Sequence, residues 1–334
     1  MAGIGGTYFD LIDLHKGGNQ SIGATIELLT QLSPVMETAT AVECNQGTTH
    51  RHSIRTGLPS VTWGQLYKGI PQSKSSKQQV DDATGFVEAL SGIDKRLLDL
   101  ATAAGQSEGE VRLSEARSFL EAMTQEFESS VFYADTATTP EKFKGLGARY
   151  NLSTGSLGNQ VIKAGGAGSD NTSIWFVTWG PDHTTLLYPQ GTQGGIKRED
   201  KGEQRVLDGS NNPYYVKEEL FSMHVGLAVK DWRYNARICN IDVSDARAGS
   251  VNLYDYLRTA YYRLQSRRVP GGKQVIYMNR DMLEVLDRLG TNRGASDNFI
   301  RLTPMQVEGR EIMSYRGIPI YETDALVNTE TLVV

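Results

Sequence analysis

The chain has 334 residues, 34 Lys and Arg against 39 Asp and Glu, and a net charge of -5. It is long enough to bury a sizeable core without a metal or disulfide staple, and its acidic balance argues against a dedicated nucleic-acid binder with a basic face and against a polybasic membrane anchor. Two cysteines, Cys44 and Cys239, do not make a secreted disulfide framework and are expected as buried reduced thiols. No run approaches the ~18 apolar residues of a bilayer span, and the first residues lack the basic and apolar regions of a signal peptide.

In chain order, residues 1–50 read as an arm. Gly17-Gly18-Asn19 breaks any helix, an amphipathic piece covers Ile22–Leu32, and Thr38–Val42 suits a strand. Arg51–Arg55 alternates, Gly57-Leu58-Pro59 turns, Val61–Trp63 and Gln65–Tyr67 read as strand, and Lys77–Val80 can pair back. The sum is a polar ribbon, with Arg51, Arg55, Lys68, Lys74 and Lys77 giving it basic character. Trp63 and Tyr67 lie on it with no core of their own. An isolated two-stranded ribbon is marginal in water, so this one needs a surface to lie on.

Phe86–Leu90 reads as a short apolar strand and Asp94–Ala104 as a helix stopped by Gly105. Ser107 and Glu110 have the spacing of a capping box. Behind them Leu113, Ala116, Leu120, Met123, Phe127 and Val131 recur at helical steps, predicting a helix from Glu108 to Val131 with Leu113, Leu120, Met123 and Phe127 in the core. Its carboxylates Glu115, Glu121 and Glu128 are expected on a solvated face. Residues 135–172 are loop-rich. Ser173–Trp179, Thr184–Tyr188 and Val225–Val229 read as buried strands, and Gly191–Gly209 as a polar excursion. Ser250 is expected to cap a helix through Leu264, Gln274–Met278 is a strand, and Asn279 caps Arg280–Leu289. Glu311–Tyr315, Ile318–Tyr321 and Thr331–Val334 are strands again.

The glycine-rich stretches lack the strand-then-helix setting of a phosphate loop. His50 and His52 share a strand face but lack further ligands, so no metal and no cofactor is expected. Asp231, and Asp242 with Asp245, are candidate acids that nothing sets apart from turn carboxylates. They leave one alternative function, an intracellular α+β enzyme with an unrecognised carboxylate or His site in the 140–305 block.

An arm, a long ribbon and a long helix suit a chain whose copies overlie one another. The chain resembles tailed-bacteriophage major capsid proteins of the Hong-Kong-97 fold, closest to those of epsilon-fifteen-like short-tailed phages. The resemblance runs over roughly residues 30–334. It is carried by Gly47-Thr48-Thr49-His50, Arg55-Thr56-Gly57-Leu58-Pro59, Phe132-Tyr133-Ala134-Asp135, Gly168 to Trp175, Val229 to Tyr234, Tyr277-Met278-Asn279-Arg280 and Gly317-Ile318-Pro319-Ile320.

The resemblance implies an α+β fold with an N-terminal arm (1–50), an extended β-ribbon loop (51–85), a peripheral domain (86–136 and 306–334) with spine helix 108–131, and an axial domain (137–305). It implies a structural protein, not an enzyme, that self-assembles as hexamers and pentamers into an icosahedral shell enclosing double-stranded DNA. Trp63, Tyr67, Lys68, Lys74 and Lys77 of the extended loop would contact the adjacent subunit. The implied partners are a separate scaffolding protein, a portal and a decoration protein, with synthesis and assembly in the bacterial host cytoplasm. For the Lys–Asn crosslink of some members, Lys68, Lys74 and Lys77 sit in the right region, but no partner Asn or helper Glu aligns, and no crosslink is predicted.

Overall fold

The computed structural model describes residues 33–334 apart from 153, 268, 270, 292–302 and 308–309. The expected glycine break and amphipathic piece of the arm lie outside the described residues. The described chain opens with one turn, α1 (Val35–Thr38), and a three-residue strand, β1 (Ala41–Glu43), that pairs parallel with a later strand at Leu186–Tyr188. The strand expected from Thr38 thus starts late, because Thr38 still bonds back to the Pro34 carbonyl at 2.8 Å.

β2 (Thr49–Gly57) and β3 (Ser76–Asp94) form an antiparallel ribbon registered from Thr49 opposite Ala83 to Gly57 opposite Ser76. Neither Val61–Trp63 nor Gln65–Tyr67 is strand: residues 58–75 hold a turn, with the Lys68 amide bonding the Gln65 carbonyl at 3.2 Å, but no ladder for β-propensity to join. Phe86–Leu90 is not a separate strand but part of the 19 residues of β3. Strand alternation turns Val87 and Ala89 onto the core and leaves Phe86 and Leu90 exposed.

Asp94 caps α2 (Lys95–Ala103) by accepting from the Arg96 amide at 2.9 Å. The Ser107–Glu110 capping box opens α3 (Glu108–Tyr133), 26 residues or about 39 Å at the usual rise. Met123 and Phe127 are buried at 3% exposure each, Leu120 is only partly buried, and Leu113 is 48% exposed. Leu113 is therefore not core. At this end the helix rolls Val111 onto Ile93, Leu97, Leu98 and Ala101, leaving Leu113 on an uncovered flank. Glu128, expected in solvent, is fully buried. Beyond Met123 the far side of α3 is covered by the turn at Val35 and by the returning chain at Thr323.

Two single turns, α4 (Leu146–Arg149) and α5 (Gly155–Gly158), lead to β4 (Val161–Lys163), β5 (Asn171–Trp179) and β6 (Thr184–Tyr188). All nine residues of β5 are buried, as its run of β-formers implies. Gly191–Gly209 is no loop: β7 (Ile196–Leu207) pairs with β8 (Pro213–Val229) from Ile196–Met223 to Leu207–Pro213, a second long hairpin. Its side chains are almost all polar, so it lacks the apolar alternation that marks a strand in a sequence. β9 (Ala236–Asp242), α6 (Val243–Ala248), α7 (Leu253–Arg263), β10 (Lys273–Met278) and α8 (Arg280–Thr291) follow. The cap of α7 is Asn252 rather than Ser250. Asn279 caps α8 as expected, accepting from the Met282 amide at 3.0 Å.

β11 (Thr303–Val307), β12 (Arg310–Tyr315) and β13 (Ile318–Glu322) complete a mixed sheet of order β11-β12-β13-β10-β5-β6-β8-β3-β2. β10 runs parallel to β13 and antiparallel to β5, and β9 joins the other edge of β5. One face of β5 sends Trp175, Val177 and Trp179 against Phe132, Tyr150 and Tyr277. The other sends Ile174 and Phe176 against α6, α7 and α8. Residues 331–334 are not strand. Asn240 stands in for a neighbouring strand, its side-chain amide bonding both the N–H and the C=O of Val333 at 2.9 Å.

Candidate assembly surface

The ribbon leaves the body on β3 itself. Residues Ser76–Ala83 pair with β2, and residues Thr84–Asp94 pair with β8, so one strand both carries the ribbon and anchors it. Gly85 lies at the crossing point. A Cβ there would stand 2.8 Å from the Glu141 carbonyl oxygen, so glycine is what lets β3 pass this loop.

The ribbon base is polar yet half-enclosed. Arg149 Nη2 donates to Asp82 Oδ1 at 2.6 Å, and His52 Nδ1 stands 3.8 Å from Asp82 Oδ2. His50 stands beside His52, with ring centroids 6.2 Å apart. Burial holds both imidazoles below their usual pKa, with Lys230 pressing the same way. Among the described residues no group of three or more His, Cys, Asp or Glu is placed to hold a metal ion. Outward of the base, Arg51 grips Asp81 through two bonds of 2.6 Å across the strands.

Beyond Gly57 the large apolar side chains of the tip are bare among the described residues. Trp63 is 98% exposed and Leu66 90%; Val61, Tyr67 and Ile70 are likewise bare. Lys68, Lys74 and Lys77 are exposed and make no ion pair among the described residues. Monomeric surfaces rarely present contiguous large apolar groups in this way, and such patches mark contact sites.

Sequence reading missed a second projection, the β7–β8 hairpin. Glu219 on β8 receives two bonds from Arg198, at 2.6 and 2.7 Å, and also pairs with Arg112 of α3, which reaches Asp200 at 2.8 Å. The alternating charges of Lys197–Arg205 are the trace this pairing leaves in the sequence.

The candidate acids are accounted for locally. Asp242 caps α6 through the Asp245 amide at 3.0 Å. Asp231 caps the short turn Trp232–Tyr234 and holds Arg233 at 2.7 Å. Both cysteines are free and buried. No helix among the described residues is long and apolar enough to cross a membrane.

A ribbon extended from a sheet, a long helix laid along that sheet and a tip whose apolar side chains are bare among the described residues suit a shell-building protein. The family model for major capsid protein GP7 matches residues 17–334, and the chain belongs to that family. Its fold is of the Hong-Kong-97 type. It is similar over 100% of its length, and 99% of the other chain, to the near-atomic structure of bacteriophage Epsilon15, with 28% identity and a TM-score of 0.72. More distant matches include the capsid of the native GTA particle, at 11% identity, TM-score 0.46, and 67% and 94% coverage. The SrpI encapsulin of Synechococcus elongatus PCC 7942 matches at 12% identity, TM-score 0.42, and 66% and 92% coverage. No curated protein matches.

Proposed function

We propose that the chain forms the icosahedral head shell of a tailed phage, as hexamers and pentamers around double-stranded DNA, with residues 51–85 laid on the adjacent subunit. The observation that carries this is the tip: Trp63, Leu66, Tyr67 and Ile70 stand in solvent on a ribbon whose strand β3 continues into the body. Burying each is worth on the order of 1.5–3 kcal/mol, available only against another surface. Lys68, Lys74 and Lys77 would set register against acidic groups there. Repetition in every copy makes weak contacts cooperative on closure.

The division into arm (1–50), peripheral (86–136, 306–334) and axial (137–305) parts belongs to the same reading. So do a role without catalysis, synthesis in the host cytoplasm, and separate scaffolding, portal and decoration proteins. Negative-stain microscopy of the purified chain, paired with its elution volume, tests it. Closed shells or ring-shaped capsomers are expected. A small, defined oligomer that never closes would favour the enzyme alternative.

A further inference from the structure

A strongly basic patch lies on the α7 side of the sheet, the side opposite α3. Between Asp255 and Asp281 the sequence has no carboxylate, in a chain whose net charge is -5. Of the described cations in that stretch, Arg280 is paired with Glu322 and Asp324, Lys273 lies over Tyr321 on the other face, and Arg263 bonds the Asn159 and Val161 carbonyls, which leaves Arg258 and Arg267 for the patch. The fold then adds a distant cation. Arg316, at the turn between β12 and β13, places its guanidinium 5.1, 5.3 and 5.7 Å from the ring centroids of Tyr261, Tyr262 and Tyr315. Arg267 lies 5.8 and 5.0 Å from Tyr261 and Tyr262. Arg316 Nη1 also donates to the Tyr262 hydroxyl at 3.1 Å. Tyr262 is 58% exposed, Arg258 and Arg267 are exposed, and Arg316 is half-buried. Arg316 first, then Arg267 and Arg258, hold that phenol below its usual pKa, which marks the local potential as positive. On α7 itself, Asp255 is engaged by Arg258 at 3.2 Å.

The turn itself points the same way. Tyr315 pairs with Ile318, leaving Arg316 and Gly317 as a two-residue turn with φ of 51° and 81°. Asn, Asp or Gly is the usual first residue of such a turn, and an arginine in the left-handed region is uncommon. Here it is the residue that brings the guanidinium over the tyrosine rings.

We propose that Arg258, Arg267, Arg316 and Tyr262 form a site for the phosphate backbone of double-stranded DNA, without regard to base sequence. The biological setting rests on the shell reading above. Arginine forks and a tyrosine hydroxyl are the donors that phosphate oxygens take. A polyanion of evenly spaced charge matches guanidinia grouped around one exposed phenol in a chain that is otherwise net acidic.

The test is fluorescence anisotropy of the unassembled full-length protein with a short labelled duplex of scrambled sequence, titrated at several salt concentrations. Arg316→Asn should weaken binding and lower the slope of log K against log salt by about 1, and R258Q/R267Q/R316N by about 3. Asparagine suits the turn, so R316N keeps the fold, as circular dichroism will confirm; if the triple variant unfolds, R316N alone decides. Unchanged affinity and slope overturn the proposal. Failure of the variants to close shells while DNA affinity is unchanged overturns it too, and makes the patch a subunit contact. If the unsubstituted chain never forms shells, the shell reading fails, while the anisotropy titration still decides the patch.

Discussion

Glu128 of α3 accepts a hydrogen bond from Thr323 Oγ1 at 2.8 Å, with its carboxylate fully buried. The long helix is thereby tied to the chain that returns from β13. Burial pushes this carboxyl up to about 7, outweighing the hydrogen bonds from Ser33, Thr323 and the Val35 amide, while Asp324 adds to the upward shift.

That shift makes stability depend on pH. Between the ordinary glutamate value of 4.5 and about 7, the folded chain keeps a proton that the unfolded chain has lost. Stability is fully present below the lower value and falls as pH rises through the upper one, by about 3 kcal/mol from this group. Glu128→Gln should remove the dependence, so denaturant midpoints of the two proteins should separate across this window, with the variant gaining at the alkaline end. Parallel curves would mean that Glu128 ionises freely.

Arg237 Nη2 meets Glu330 Oε2 at 2.8 Å, and both side chains are buried. Ser173 and Tyr133 also bond this carboxylate, the latter at 2.6 Å. Glu330→Ala leaves the guanidinium without its counter-charge and should cost about 3–5 kcal/mol. Replacing both partners by apolar residues of similar volume should cost far less. Urea unfolding of the single and double variants settles it, and equal losses would argue against a coupled pair.

Phe127 and Leu113 share a predicted stripe but not an environment. Phe127→Ala empties a buried site and should cost about 3–5 kcal/mol. Leu113→Ala, at a half-exposed flank, should stay within about 1 kcal/mol in the unassembled protein. If Leu113→Ala proved the more damaging, the orientation of α3 would be mistaken.

Gly57 and Ser76 face each other, so residues 58–75 can be replaced by an Asn-Gly turn without disturbing the register. The shortened chain should fold with near-native circular dichroism and fail to close shells. Trp63→Ala should leave protomer stability within about 0.5 kcal/mol, since the ring touches little of its own subunit, and should lower shell yield in micrographs. Normal shells from the shortened chain would place the assembly contacts elsewhere.

The sequence by itself determined what neighbours along the chain decide. The Ser107–Glu110 box and the helical spacing of Met123 and Phe127 set the start and inner face of α3. Asp94 and Asn279 mark their helices, and the run Ser173–Trp179 is a strand buried on both faces. A ribbon with no core of its own was legible because its tip combines apolar side chains with glycine and proline punctuation. The tertiary structure decided what depends on a partner distant in sequence. β7 is a strand because β8 supplies its ladder, although its side chains are polar. Glu128 and Leu113 exchange their expected places because a helix face is core only where another segment covers it: the chain at Val35 and Thr323 covers the first, and the described residues leave the second half-exposed. Arg316 joins Arg267 over one tyrosine pair because a sheet turn brings them together, and no local spacing records that meeting.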